Sequence, residues 1–217
     1  MVSESINPSF EMQIILIFSA LCFAVNAQFS EAGKQAIVDV HNELRSSIAK
    51  GTYIAKDDKK EPASNMLKLK WNDTLAASAQ DYADKCPSGH SWANGIGENM
   101  FWLWSTAPPD GFDVLGKSAS GAWASEFTKY GWPSNTFDGA LYNSGIGHAT
   151  QMAWAWTGQI GCGVTNCPKE NDEYKSMVVC QYKNQGNIMG GLVYKEGETC
   201  SECPENTTCE QSTGLCA

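Results

Sequence analysis

The sequence predicts an α+β fold, because helical and strand patterns occupy separate parts of the chain. Between residues 30 and 130, apolar side chains recur at three- and four-residue steps, which is typical of helices with one buried face. After residue 158, short apolar runs alternate with Gly, Asn and Pro, which is typical of strands. Segregation of this kind indicates the α+β class.

The first predicted helix begins at Ser30 and Glu31 and ends at Gly51. Its apolar stripe consists of Ile37, Val40, Leu44 and Ile48. A polar connection follows, and residues 66–71 then alternate briefly between apolar and polar side chains.

Two more helices are predicted after this segment. Asn72 or Asp73 can cap the second helix. The apolar face of that helix includes Leu75, Ala79, Tyr82, Ala83 and Cys86. A long loop separates it from a third helix, which is predicted from Asp113 to Tyr130.

The strand predictions fall in the second half of the chain. Residues 159–166, 174–182 and 190–194 are short runs that Gly, Asn and Pro separate from one another. These three runs predict a sheet, but their periodicity does not specify its architecture.

The amino terminus has the composition of a secretory signal. Residues 14–25 form an apolar run that is shorter than the ~20 residues of a membrane-spanning helix, and small residues at 25–27 suit cleavage. We therefore predict a signal peptide over residues 1–27 and expect no transmembrane segment. Residues 1–11 contain two acidic and no basic residues, so Met12 is an alternative translation start.

The cysteine count predicts a secreted, extracellular protein. Nine cysteines are present, and removal of Cys22 with the signal peptide leaves eight, an even number that is typical of disulfides formed in an oxidising compartment. Eight cysteines allow about 105 pairings, so the sequence leaves the connectivity open. Sequons at Asn72 and Asn206 predict N-glycosylation and agree with secretion.

The charge of the chain argues against two classes of partner. The formal net charge is −9, and removal of Glu4 and Glu11 with the signal peptide leaves −7. An acidic surface repels phosphate backbones and anionic lipid headgroups, and no Lys/Arg cluster offsets it. We therefore expect no nucleic-acid partner and no attachment to an anionic membrane surface.

Half of the eight cysteines lie in a short carboxy-terminal segment, residues 197–217. Their spacing is Cys200-x2-Cys203-x5-Cys209-x6-Cys216. A segment this short has too little core to fold without covalent closures. The Cys-x2-Cys pair also suits a zinc knuckle or a redox pair, but an oxidising compartment favours disulfides.

Several sequence blocks together resemble the CAP superfamily of cysteine-rich secretory, antigen 5 and pathogenesis-related proteins. The blocks are His41–Arg45, Gly97–Met100, Gly147–Trp154, Gly161–Val164 and Val178–Tyr182. The alternating run at 66–71 and the compact tail resemble nematode activation-associated, venom-allergen-like secreted proteins. The resemblance implies an α-β-α sandwich with a central antiparallel sheet over residues 28–196, followed by a small cysteine-rich hinge. We expect Cys86, Cys162, Cys167 and Cys180 to pair within the main domain, and the tail cysteines to pair among themselves.

The same resemblance implies a tetrad of two histidines and two glutamates. The matching residues are His90, Glu98, Glu126 and His148, of which the first two fall in the long predicted loop. Two neutral imidazoles, His90 and His148, can ligate a divalent cation such as Zn²⁺ while carboxylates orient them. Alternatively, the tetrad is a structural polar cluster. His41 is expected to be structural, on the inner face of the first helix.

An aromatic pattern points to a lipid ligand. Tyr130-x-Trp132-x4-Phe137 matches the spacing of the caveolin-binding type of motif. In the CAP superfamily, which this chain resembles, some proteins carry a sterol-binding loop just before the block that contains His148. Trp132-Pro133 has turn character, so the rings are expected on a loop that covers a sterol or fatty acid. A second aromatic run, Phe101–Trp104, could line the same cleft. The alternative is that these rings cap the hydrophobic core.

These observations lead to three functional hypotheses. The first is extracellular binding of a sterol or fatty-acid-like ligand. The second is an immune-modulating interaction with a host receptor, in which the tetrad is structural. The third is a metal-assisted hydrolase. No Ser or Cys lies in a recognisable nucleophile motif, so we expect no enzymatic activity.

Overall fold

The computed structural model describes residues 29–217, so the predicted signal peptide, the alternative start at Met12 and Cys22 lie outside the described residues. The helices in this part of the chain are α1 (Glu31–Ala49), α2 (Asp73–Ala83), α3 (Phe112–Ala124), α4 (Glu126–Tyr130), α5 (Gly139–Tyr142) and α6 (Gly147–Ala153). The strands are β1 (Ile54–Ala55), β2 (Asp58–Lys59), β3 (Lys70–Trp71), β4 (Gly97–Ser105), β5 (Gln159–Glu170), β6 (Glu173–Lys183), β7 (Cys209–Glu210) and β8 (Leu215–Cys216). Among the helices of residues 29–217, none has the length and apolarity needed to cross a bilayer.

The central sheet contains four strands in the order β3-β5-β6-β4. The three long strands are antiparallel, with β4 and β5 on either side of β6. The short strand β3 adds to β5 in parallel, so the sheet is mixed and not wholly antiparallel as expected. The α+β class itself is confirmed.

The two faces of the sheet bury two separate hydrophobic clusters. Along β6, Val178 and Cys180 face the larger cluster, which includes apolar residues of α1, α3 and α6. Met177 and Val179 face a smaller cluster with Ala79 and other residues of α2. Alternation of this kind follows from the two-residue period of a strand. The chain is therefore an α-β-α sandwich, as the family resemblance implied.

Glycines allow α2 to lie directly on β5. A Cβ atom at Gly161 would stand 2.1 Å from the Ala76 backbone nitrogen, and one at Gly163 would stand 2.4 Å from the Gln80 backbone. Any side chain at these positions would force the helix away from the strand. The α2 helix itself begins where the sequence predicts, because the Asn72 side chain accepts a hydrogen bond from Leu75 N.

Three predicted elements differ from the structure. The third helix is broken at Ser125, whose hydroxyl donates back to the Ala122 carbonyl, so α3 and α4 are separate helices. Gly97–Ser105, assigned to a loop, is the nine-residue strand β4, which pairs with β6 along its whole length. Residues 190–194 do not form a strand, because Gly190 takes a positive φ and its backbone pairs with the Phe137 segment.

A buried arginine fixes the position of α6 relative to α1. The Arg45 guanidinium is fully buried, and it donates hydrogen bonds to backbone carbonyls of two separate segments of the chain. The accepting carbonyls belong to Leu67, Met152, Trp154, Ala155 and Thr157. Four of these carbonyls lie in the last turn of α6 or in the segment after it. Arg45 therefore holds the carboxyl end of that helix against α1.

The structure forms four disulfides from the eight cysteines of residues 29–217. The pairs are Cys86–Cys167, Cys162–Cys180, Cys200–Cys209 and Cys203–Cys216. The predicted separation into main-domain and tail pairs is confirmed. The zinc-knuckle and redox alternatives are wrong, because Cys200 and Cys203 are each in a disulfide with another tail cysteine and not with each other.

The cysteine-rich tail docks on the main domain through backbone hydrogen bonds. Cys216 N donates to the Met66 carbonyl, and Lys68 N donates to the Cys216 carbonyl. Leu215 and Cys216 are buried, and Leu215 belongs to the larger hydrophobic cluster. None of the four disulfides links the tail to the main domain, so noncovalent contacts dock it there, among them these and the Lys68–Glu210 ion pair.

Candidate functional site

The first half of the candidate site is the pair His90 and Glu98. His90 lies in the loop after α2, and Glu98 is the second residue of β4. The His90 Nδ1 atom is 3.0 Å from Glu98 Oε1. Glu98 also accepts hydrogen bonds from the backbone and hydroxyl of Ser91, at 2.8 and 2.6 Å, and from Gln181 Nε2 at 3.3 Å.

These contacts determine the ionisation of Glu98. Burial alone would raise the pKa of this carboxyl, but the hydrogen bonds from His90, Ser91 and Gln181 outweigh burial, and the net pKa is lowered. Glu98 is therefore a carboxylate at neutral pH, held in place by donors on three sides.

The second half of the site is the pair His148 and Glu126. The His148 Nδ1 atom is 2.6 Å from Glu126 Oε1, and the Ala149 backbone N–H donates to the other carboxylate oxygen at 3.0 Å. The imidazole also stacks on Trp123, with ring centroids 6.0 Å apart. Helices α4 and α6 thus supply one residue each, and Trp123 of α3 fixes the ring plane.

Both pairs leave the same histidine atom available. A carboxylate only accepts hydrogen bonds, so in each neutral ring the proton is assigned to Nδ1 and the lone pair to Nε2. The His90 and His148 side chains are 40% and 37% exposed, whereas their glutamates are 5% and 14% exposed. A histidine that ligates a metal usually donates its other ring N–H to a carboxylate in this way.

Asn99 connects the two pairs. It follows Glu98 on β4, and its amide donates to the backbone carbonyl of His148 at 3.1 Å. The same amide donates to the hydroxyl of Tyr182, which is buried below the site. The beginning of β4 therefore fixes Glu98 directly and His148 through its backbone.

The four tetrad residues do not form a preassembled three-ligand centre. Among residues 29–217, the sole group of three His, Cys, Asp or Glu ligand atoms within 4.8 Å of one another is Cys200, Cys203 and Cys216. Those sulfurs are in disulfides and cannot ligate as thiolates. A cation at the tetrad would therefore have at most two of these side chains as ligands and water in its other positions.

A cleft of about 380 Å³ adjoins the first pair. His90 and Glu98 are part of its wall, together with the largely exposed Trp92 and with Tyr142 and Met189. Glu126 and His148 lie outside its wall, as does the aromatic run Phe101–Trp104, which could have lined it. The run lies instead along β4, with its last two side chains exposed.

His41 has the structural role that was expected. It is fully buried, its Nδ1 donates to the Ile37 carbonyl at 2.8 Å, and its Nε2 accepts from the Tyr182 hydroxyl at 2.9 Å. Both nitrogens are therefore occupied. The pKa of His41 is lowered to about 4, mainly by burial and also by the nearby Arg45 charge, although the hydrogen bond to the Ile37 carbonyl opposes this shift.

The predicted lipid-binding loop must be corrected. Trp132 and Phe137 are each only 1% exposed and belong to the larger core cluster. Trp132 stacks on Phe127 with ring centroids 4.1 Å apart, because burial of a large aromatic surface against another ring is favourable. Of the three rings, Tyr130 alone is exposed. The segment is a loop in which the Trp132 ring lies in the core, as the core-capping alternative held. Phe137 belongs to the same core cluster and is also part of the wall of the tetrad cleft.

The two predicted glycosylation sites have different surroundings. The Asn72 side chain caps α2 and its Nδ2 donates to Gln159 Oε1 at 2.9 Å, so both of its polar atoms are used. Asn206 is exposed in a tail turn.

Sequence reasoning missed two polar residues that the site depends on. Asn99 lies inside the Gly97–Met100 block, so the block itself was the available signal. Tyr182 ends the block Val178–Tyr182, but its contacts with His41 and Asn99 span more than eighty residues, and sequence spacing cannot reveal them.

Comparison with known proteins places this arrangement in a family. A family model described as the cysteine-rich secretory protein family, CAP, matches residues 38–182. Peptidase inhibitor 16 of Mus musculus is 36% identical over 187 residues, which cover 84% of this chain and 34% of that protein. Ancylostoma secreted protein of Ancylostoma caninum is 36% identical over 200 residues, which cover 88% of this chain and 46% of that protein. The chain thus spans between a third and a half of the length of these curated relatives.

A solved structure shows the same fold. The crystal structure of NaASP2 with Zn²⁺ has a TM-score of 0.77 and 34% sequence identity, and the match covers 87% of this chain and 96% of that one. The expected resemblance to nematode secreted proteins is confirmed by this match and by the Ancylostoma relative.

Proposed function

The chain belongs to the CAP family of cysteine-rich secretory proteins, and on that premise we propose that it is an extracellular binding protein that holds a divalent cation at His90 and His148. One observation carries the proposal: each histidine Nδ1 is bonded to a largely shielded carboxylate, which leaves each Nε2 available for a metal. The structure of NaASP2 with Zn²⁺ shows that a relative with the same fold has been crystallised with zinc. The four disulfides agree with an extracellular location.

The donor set favours zinc over calcium or magnesium. Imidazole nitrogens suit Zn²⁺, whereas Ca²⁺ and Mg²⁺ prefer oxygen ligands. With two protein ligands, affinity is expected to be modest, and it falls at acidic pH because protonated imidazole cannot ligate. Glu98 and Glu126 would orient the rings and raise their basicity.

We favour binding over hydrolysis because of how the two glutamates are used. Glu98 accepts from His90, Ser91 and Gln181, and Glu126 accepts from His148 and the Ala149 backbone. Carboxylates with these partners act as orienting groups, and each would have to give up a bond to act as a general base.

A second candidate function is the binding of a fatty-acid-like ligand. The observation that favours it is a group of exposed apolar residues on the far side of Gln185 from the tetrad cleft: Trp156, Ile188 and Leu192, each about half exposed. A sterol held by Tyr130, Trp132 and Phe137 is not favoured, because two of these rings are in the core.

Calorimetric titration with ZnCl₂ tests the metal proposal. The double variant His90→Ala/His148→Ala should lose binding, and Glu126→Gln should weaken it by about ten- to a hundredfold, because the orienting carboxylate is lost. Glu198→Gln is the matched control, since it removes an exposed carboxylate outside the site and should bind as the wild type does. Unchanged zinc affinity in the double-histidine variant would refute the proposal.

A further inference from the structure

A second cavity, separate from the tetrad cleft, lies between the segment after α6 and the loop after β6. Its volume is about 370 Å³, near the lower end of the range for small-molecule sites. Trp154, Trp156, Ile188 and Leu192 supply most of its apolar wall. Trp156, Ile188 and Leu192 are also exposed at its mouth, so apolar surface continues from the interior of the cavity to the solvent.

One polar group at the wall of this cavity lacks a partner. Asn65 is 1% exposed, and its Oδ1 accepts from the Lys195 backbone N–H at 2.9 Å. Its Nδ2 is buried and has no hydrogen-bond acceptor among residues 29–217. A buried donor without an acceptor destabilises the fold. A ligand that brings an acceptor oxygen to this wall therefore gains the free energy of a hydrogen bond that the protein alone cannot form.

The charges around the cavity indicate what kind of acceptor fits. No Asp or Glu lines it, although the whole chain has a net charge of −9, and its one charged lining residue is Lys195. The Lys195 ammonium pairs with the exposed Glu202 carboxylate at the surface, a contact that water screens and that an incoming anion can replace. The remaining polar side chains of the lining are amides, because the Tyr194 hydroxyl already donates to the Glu61 carbonyl. The wall therefore favours an anionic oxygen over a cation.

We propose that this cavity binds a small hydrophobic carboxylate. The hydrocarbon chain of the ligand packs against Trp154, Trp156 and Leu192. Its carboxylate accepts hydrogen bonds from the Asn65 amide and from Lys195. This inference rests on the second candidate function and gives it a location outside the tetrad cleft, next to the Phe137 segment, whose ring lies 6.2 Å from that of Trp154. It is independent of metal binding.

Binding of decanoate, followed by tryptophan fluorescence and by native mass spectrometry of the full chain, tests the site. Wild-type protein should bind decanoate, and decanoic acid methyl ester should bind at least about tenfold more weakly because it lacks the charge. Asn65→Asp keeps the acceptor for Lys195 N but replaces the free donor with an anion, so it should weaken decanoate binding by about tenfold or more. Trp156→Ala should weaken it through lost apolar contact.

Trp104→Ala is the matched control for Trp156→Ala. The two indoles are 46% and 48% exposed, but Trp104 lies on β4 away from the cavity. Decanoate binding should be unchanged in this variant. If wild-type protein binds decanoate but Asn65→Asp and Trp156→Ala bind it equally well, the location is wrong while the second candidate function stands. If neither decanoate nor the longer palmitate binds wild-type protein, the inference and that candidate function both fail.

Discussion

Acidification should destabilise the folded chain through His41, and the size of the effect follows from its surroundings. The folded ring is neutral and buried, and burial lowers its pKa from the ordinary value of 6.5 to about 4. Below pH 6.5 the His41 ring therefore binds a proton in the unfolded chain but not in the folded chain. The free energy of unfolding consequently falls as the pH falls. At ~1.4 kcal/mol per pH unit, the interval down to pH 4 corresponds to a loss of about 3 kcal/mol.

Urea denaturation at a series of pH values from 7 to 4 measures this loss. Other groups contribute to acid sensitivity, including Glu98, whose lowered pKa gives stability that disappears at still lower pH. The informative quantity is therefore the difference between the wild type and His41→Gln, which cannot titrate. The wild type should lose about 3 kcal/mol more than this variant over the window.

A second readout protects the test against a variant that folds poorly. In the wild type, the NMR signals of the His41 ring should not titrate until the pH approaches 4. Equal pH dependence of the wild type and His41→Gln, or a His41 ring that titrates near its ordinary pKa, would refute the reasoning.

Two further predictions follow from side chains whose surroundings differ from what their motifs suggested. Trp132→Ala should lower the free energy of unfolding by about 3–5 kcal/mol, because it removes a ring stacked on Phe127 in the core. Tyr130→Ala should change this free energy by less than about 1 kcal/mol, because Tyr130 is exposed. Equal, small effects of the two substitutions in urea denaturation would argue against the core assignment. Glycopeptide mass spectrometry of protein secreted from eukaryotic cells should find a glycan at Asn206 and none at Asn72, because Asn72 Nδ2 donates to Gln159. A glycan at Asn72 in folded protein would argue against this Nδ2–Gln159 contact.

The sequence predicts those parts of the fold whose signal is local. The first two helices and the strands β5 and β6 are visible because capping residues and periodic apolar positions lie close together in the chain. Strand β4 is not visible, because its burial does not alternate and its pairing with β6 is distant in sequence. Spacing likewise does not report the direction of a side chain, so the burial of Trp132 could not be read from its motif.

The candidate site shows the same division. The tetrad residues can be named from motifs, but their pairing as His90 with Glu98 and His148 with Glu126 requires the fold. Asn65 gives no sequence signal at all, because its importance depends on Lys195, which lies 130 positions away in the chain.

The docking of the tail has a consequence for the order of biosynthesis. Met66 and Lys68, in the amino-terminal half of the described chain, form backbone hydrogen bonds with Cys216. Leu215 belongs to the same hydrophobic cluster as the buried side chains of α1. A ribosome makes residues 66–68 long before residue 216, so these early residues must wait, unpaired, for their partner. The segment around residues 66–68 therefore cannot complete its packing until residues 215 and 216 have been synthesised. A chain that terminates before Leu215 would leave its core open at α1.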